Sequence, residues 1–216
     1  MIKLLLALLG ITGAVVAAAL LIGGGTLLWV DTTMTDSEGF INTKPVELET
    51  ETYAITTPPA EIEIETPGPI DVGTLASLRI VAENRDPDKG VFIGVAEATD
   101  LEGYLSDVAY AEIVELEMEP FEATFVTHPG VAVPQTPSAQ AFWTASASGD
   151  GQLTLTWDVE SGDYALVLMN EDASAGVGVE AVIGARVPVI RPLGTSLLIG
   201  GGIALLFGTV LIALAL

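Results

Sequence analysis

Two long uncharged runs bracket this chain and restrict its fold more than any other feature. Residues 4–30 and 195–216, 27 and 22 residues long, contain neither a charge nor a proline. As helices they would reach about 40 Å and 33 Å, against a hydrocarbon core of about 30 Å, so each is long enough to span a bilayer. A signal peptide would end its apolar region after about 7–15 residues. Here the run continues eleven residues beyond the small stretch at 17–19 where cleavage would fall. Residues 1–30 are therefore expected to stay as an uncleaved anchor, and 195–216 to form a second transmembrane helix.

The pentapeptide LIGGG occurs in both runs, at 21–25 and at 198–202. Membrane helices associate by packing, and small residues let their backbones approach. Gly10, Ala14 and Ala18 recur at four-residue spacing in the first run, as do Gly200, Ala204 and Gly208 in the second. This predicts two flat stripes, in an antiparallel hairpin with both glycine triplets at similar depth or between copies in a homo-oligomer. The alternative is that small residues are simply frequent in membrane spans. Trp29 reads as an interfacial anchor and Arg191 as a snorkelling cation beside the second span.

Between the runs the composition inverts. All 29 acidic residues lie between Asp31 and Glu180 with only Lys44, Arg79, Arg85 and Lys89 against them, a formal charge of −25. Apolar residues alternate throughout this stretch and turn formers interrupt it, so a folded domain is expected rather than a disordered acidic tail. Few lysines and evenly spread acids point to adaptation to concentrated salt, where self-repulsion is screened. Without a basic stripe, nucleic acid is not an expected partner. There is no cysteine, so neither disulfides nor thiolate metal sites hold the domain.

After a polar stalk at 31–45, strands are predicted at 46–55 (VELETETYAI) and 61–65 (EIEIE), separated and followed by the turns TTPPA and TPGPIDVG. LASLRIVAE and VFIGVAE flank NRDPDKG as a hairpin. A short helix capped by Thr99 or Asp100 carries Leu101, Tyr104 and Leu105. YAEIVELEM and FEATFVTH follow, split at Pro120, and then the Pro-rich loop 129–137. AFWTASAS, QLTLTWDV, DYALVLMN and VGVEAVIGA complete the domain as a four-stranded antiparallel meander. The predicted fold is mainly β, an antiparallel β-sandwich over 46–190 flanked by two transmembrane helices.

The segments FWTASASG, LTLTW and VLMNEDASAGV, with VFIGVAEATDLEGYLSDVAYAEI before them, resemble an uncharacterised family of membrane-anchored proteins of actinobacteria and haloarchaea. The resemblance covers about the central 100 residues and the flanking-helix layout. It implies an extracytoplasmic β-rich domain between two membrane helices, and brings no activity or catalytic residues with it.

Chemistry-bearing motifs are sparse. His128, the only histidine, stands beside Pro129 and reads as an exposed loop residue, and no nucleophile elbow or zinc-protease motif accompanies it. Asp86, Asp88 and Glu97 fall at positions 1, 3 and 12 of a calcium loop, but the glycine is misplaced and a hairpin turn is the better reading. If the turns at 149–151 and 170–176 share one end of the meander, Asp150 approaches Glu171 and Asp172, a weak Ca2+ site set against solvated turn acids. Trp143 and Trp157 are expected in the core, with adjacent Phe142 and Trp143 pointing to opposite sheet faces.

The function expected from these features is non-enzymatic. A two-pass protein of the cell membrane, both termini cytoplasmic, would present an acidic extracytoplasmic module for binding or assembly. Its partners would be membrane lipid and another membrane or envelope protein. A surface hydrolase using a carboxylate pair and a cation-binding surface domain are the alternatives.

Overall fold

The computed structural model describes residues 2–63, 76–118 and 121–215, with the backbone alone for Ile2, 116–118 and 121–122. The predicted turn at 66–73, the end of the EIEIE strand and the break at Pro120 lie outside the described residues. In chain order the first elements are α1 (Ile2–Thr33), β1 (Ile41–Asn42), β2 (Val46–Thr50), β3 (Ala54–Thr56), β4 (Ala60–Ile62), β5 (Ser77–Asn84) and β6 (Val91–Glu97). They are followed by α2 (Ala98–Leu105), β7 (Tyr110–Met118), β8 (Phe121–His128), β9 (Ala145–Gly149), β10 (Leu153–Asp158), β11 (Gly162–Asn170), β12 (Val177–Arg186) and α3 (Ile190–Ala215). Two compact units result: a helical unit (Met1–Ile41 with Val187–Leu216) and a β unit (Asn42–Arg186).

In the helical unit, α1 and α3 are apolar on all sides, the pattern of helices that do not face water, and both are long and apolar enough to cross a membrane. They pack antiparallel. A Cβ added to Gly10 would lie 2.8 Å from Gly208 O, one on Gly24 2.7 Å from Gly194 O, and one on Gly201 2.9 Å from Leu21 Cγ. The buried small residues are thus Gly10, Ala17 and Gly24 on α1, and Gly194, Gly201 and Gly208 on α3. Both sets repeat every seven residues, the spacing that keeps one seam in contact along a left-handed helix pair.

The four-residue stripes expected from sequence are therefore only partly the contact. Gly10 and Gly208 lie in the seam and Ala14 N would sit 3.2 Å from a Cβ on Gly208, whereas Gly200 has no neighbour within 4 Å. Ala18 is exposed and Ala204 half-buried. The triplets do not face each other either, because Gly24 meets Gly194 and Leu198 while Gly201 meets Leu21. At the end of the pair Arg191 Nε stands 3.9 Å from Asp31 Oδ2.

In the β unit the strands form two sheets. Sheet A has the order β1-β12-β5-β10 with β2 also on β12, and sheet B the order β8-β7-β3-β11-β6-β9 with β4 on β11. Among the described residues β12 with β2 and β5, β5 with β10, β11 with β3, β4 and β6, β6 with β9 and β7 with β8 pair antiparallel, whereas β3 runs parallel to β7. One core cluster draws on both sheets: Leu48, Ile80, Leu155, Trp157 and Val179 from A, and Ile55, Ile93, Val95 and Leu168 from B. A second cluster lies on the other face of B, where Leu101 and Leu105 of α2 cover Ala54, Phe92, Ala96 and Val167. Central strands of B are hence buried on both faces, and Ala54, Ile55 and Thr56 are all buried in succession.

This arrangement corrects three readings of the sequence. β9, β10, β11 and β12 alternate between sheets B and A, so the predicted meander is a series of arches across the core. The NRDPDKG turn likewise joins β5 in A to β6 in B instead of closing a hairpin. The predicted strand 46–55 is two strands, β2 in sheet A and β3 in sheet B, because the chain changes sheets at 51–53. A buried polar bridge ties the arches together: Asn84 Nδ2 of β5 donates to Asn170 Oδ1 of β11 at 2.9 Å. Asn170 Nδ2 in turn donates to Ser174 O at 3.0 Å and Gly176 O at 3.2 Å.

Candidate functional site

The outer face of sheet B carries the richest chemistry. The helix α2 is preceded by Glu97, the last residue of β6, which makes no side-chain cap bond, so the expected cap at Thr99 or Asp100 is replaced by the direct continuation of β6 into the helix. Leu101 and Leu105, one turn apart, hold α2 on the sheet. Beside it the 129–143 segment docks through its backbone, Val131 N and Ala132 N both donating to Asp107 O. Phe142 and Trp143 precede β9 instead of belonging to it, so they do not alternate: both join one aromatic cluster with Tyr104 and Phe92. Trp143 rests over Gly94, where a Cβ would come 2.8 Å from its ring, and its Nε1 donates to Pro137 O at 2.8 Å. Tyr104 donates to Gln135 O, and burial pushes its phenol up to about 12.

Between α2 and strands β3, β7 and β11 lies a cleft of about 270 Å3, whose lining includes Thr56, Leu101, Glu102, Leu105, Tyr110, Glu112 and Ala165. On its far side Glu102, Leu105 and Tyr110 also line a neighbouring hollow that His128 borders. His128 is not an isolated loop residue. It ends β8 opposite Tyr110 on β7, its Nε2 is 2.8 Å from Glu112 Oε2, and its ring stacks on Tyr110 at 4.4 Å and 8°. The Tyr110 phenol is held above its usual range by burial first, then by the charges of Glu112 and Glu102. Thr56 follows Ile55 on β3 and so turns to the α2 side, with only 3% of its surface exposed. The site therefore combines two carboxylates, one of them engaged by His128, with an apolar floor and the neighbouring Thr56.

The metal candidates fare differently. Glu171 Oε1 accepts from Ser148 Oγ at 2.8 Å, and Asp172 Oδ1 accepts from Ser174 N at 2.9 Å as a turn carboxylate. Asp172 is held below its ordinary range by hydrogen bonds from Ser174, from its side chain first and then from its backbone. Asp150 is exposed in its turn. Among the described residues no three His, Cys, Asp or Glu side chains are grouped to hold a metal ion. The calcium-loop spacing dissolves in three dimensions, because Asp86 and Asp88 form the turn before β6 while Glu97 ends that strand, about 20 Å of extended chain away. Trp157 is in the core, as its strand position predicts, packing on Tyr164 with centroids 4.9 Å apart.

Sheet A shows how the acids are spread. Glu180 on β12 pairs in register with Glu47 on β2 and with Glu83 on β5, so three like charges run side by side across the sheet. Arg85 relieves one end, lying 3.0 Å from Glu49 and 3.5 Å from Glu47.

Sequence reasoning singled out His128 but missed Glu112 and Tyr110. Their i, i+2 spacing on one strand was visible, yet the register that sets them against His128 depends on an irregularity between Ile113 and Glu115. A scan against protein-family models finds no match for this chain, and a comparison with curated proteins finds none either.

Proposed function

We propose that the chain is a two-pass membrane protein whose β unit, a β-sandwich built on the core shared by sheets A and B, serves outside the cytoplasm as a binding or assembly module. The observation that carries the reading is the pair of long apolar helices joined through backbone-close small residues, bracketing in sequence a stretch, residues 31–180, with 25 excess negative charges. Such helices are expensive to expose to water and suited to lipid. Adaptation to concentrated salt, and membership of the membrane-anchored family that the central segments resemble, belong to the same proposal.

Binding, and not turnover, fits the cleft better. A hydrolytic carboxylate pair needs one acid and one free base or nucleophile, and Glu112 already holds His128. A partner would be another membrane or envelope protein, meeting the module at the α2 face. The test is a photo-crosslinking residue placed in living cells at Glu102, on α2, and in a second strain at Thr154, on the outer face of sheet A. A discrete adduct from position 102 and none from 154 is expected. No adduct from either position, in cells that insert the protein normally, would count against the module.

A further inference from the structure

The core shared by the two sheets is left open beside β4. Strand β3 stops at Thr56, and Pro58 and Pro59 cannot donate to a ladder, so pairing along that edge of β11 resumes only with β4 at Ala60–Ile62. Next to this break lies a cavity of about 260 Å3, lined by Leu78, Ile80 and Ile183 of sheet A, by Val95 and Leu166 of sheet B, and by Trp157. None of its described lining residues is charged. Trp157 is only 7% exposed, and its Nε1 is buried without a hydrogen-bond partner among the described residues. In Trp143, by contrast, the same nitrogen donates to Pro137 O at 2.8 Å. The Tyr164 ring, 4.9 Å from that of Trp157 and tilted by 61°, offers the N–H no more than a weak π contact. A buried donor without an acceptor is costly and uncommon in native proteins.

We propose that this cavity binds an aliphatic chain that ends in a neutral carbonyl, the chain lying between the sheets and the carbonyl oxygen accepting from Trp157 Nε1. The uncharged, apolar walls call for an aliphatic body. A cavity of about 150 Å3 holds the six carbons of benzene, so one of about 260 Å3 suits a chain of roughly ten. An indole N–H only donates, so the polar end of the ligand has to accept. A carboxylate end is disfavoured by the local field. The Tyr164 phenol in the cavity wall is held above its usual range by burial first, then by the charges of Glu160 and Glu97, and no described lining residue supplies a cation. A ketone or ester oxygen accepts without adding charge. Val95 and Leu166 face the shared core while α2 covers the other side of sheet B, so this site is separate from the α2 face and does not rest on a partner there.

The test uses membranes that carry the full-length protein and two photoreactive probes, 2-decanone and decane, each with a diazirine at one chain end. Saturable labelling by the ketone probe is expected in the peptides that contain Leu78–Ile80 or Ile183, with excess 2-decanone suppressing it at about fivefold lower concentration than decane or decanoate. Trp157→Phe keeps an aromatic ring without the N–H, and should bring 2-decanone down to the level of decane. Ala60→Trp, at an exposed position on the rim, should block labelling of these peptides by both probes. Thr154→Val, on an exposed position of sheet A, should change nothing. A phospholipid with the same diazirine on an acyl chain separates the sources: saturable labelling of these peptides by it assigns a bilayer lipid, and labelling by the ketone alone assigns a small neutral molecule. Absence of saturable labelling at these peptides, labelling that survives Ala60→Trp, or a ketone preference that survives Trp157→Phe would overturn the proposal. If it falls while position 102 still crosslinks a partner, the module reading stands; if the ketone binds and no partner crosslinks, the reverse holds.

Discussion

Asn170→Ala removes the junction that ties the arches of the β unit together. The residue is fully buried, and its amide joins β11 to β5 through the 2.9 Å bond from Asn84. It also holds the 171–176 turn through Ser174 O at 3.0 Å and Gly176 O at 3.2 Å. Truncation leaves the Asn84 amide with only its 3.3 Å bond to Gly90 O, strips two carbonyls of their donor and opens a small void. At roughly 1 kcal/mol per lost bond, with a further penalty for groups left unpaired, the loss should be roughly 3–4 kcal/mol. Asn84→Ala forfeits the same bridge together with its bonds to Gly90 O and from Asp86 N, but leaves the 171–176 turn intact, so about 2–3 kcal/mol is expected. Because the two share one bond, the double variant should cost about 1 kcal/mol less than the sum. Denaturant unfolding of the full chain in detergent, followed by tryptophan fluorescence and circular dichroism, measures all three. An Asn170→Ala protein within about 0.5 kcal/mol of the parent would show that the bridge does not hold the sheets.

Three further outcomes follow from the geometry. Glu180→Gln removes the middle charge of the Glu47–Glu180–Glu83 row. It should raise stability by up to about 0.5 kcal/mol at millimolar salt, and the gain should vanish near 1 M, where screening acts over about 3 Å; thermal melts across that range check both. In the helix pair, cysteines at Gly13 and Ala204 should crosslink, since a Cβ at Gly13 lies 3.9 Å from Ala204 O, and Gly201→Leu should lower the yield by crowding Leu21. Cysteines at Gly25 and Gly200, neither with a neighbour within 4 Å, should not crosslink within a chain. Tyr104 should form phenolate only near pH 12 in an ultraviolet titration. Its raised ionisation stabilises the fold fully below the ordinary value of 10, and that contribution is lost as pH rises from there through 12.

Sequence pattern located most elements but misjudged how they meet. The strands 77–84, 91–97, 153–158 and 162–170 were all legible from alternation and turn residues, as was the α2 turn with Leu101 and Leu105. A turn such as GDG or ESG states that the chain reverses. It does not state whether the returning strand hydrogen-bonds beside the first or crosses the core to face it, since both put apolar residues inside. Among the described residues only β7 and β8 are sequence neighbours that pair directly. The helix seam was misread for a related reason. Four-residue spacing marks one face of an isolated helix, whereas a supercoiled pair keeps contact at seven, and runs as rich in glycine and alanine as these contain both patterns. Around the cleft, His128 in the neighbouring hollow stands out by itself in the sequence, but Thr56, Glu102 and Glu112 come from three elements far apart in sequence. No local spacing announces them.

The central claim is that the helices cross a membrane and leave the β unit outside the cytoplasm. The chain contains no cysteine, so single cysteines report without background. A membrane-impermeant maleimide applied to intact cells should label Asp163→Cys, on an exposed position of β11, and should leave a cysteine appended after Leu216 unlabelled until the cells are permeabilised. Labelling at the appended cysteine in intact cells, with position 163 protected, would contradict this topology; release of the protein from membranes by carbonate, with neither site protected, would remove the membrane reading altogether.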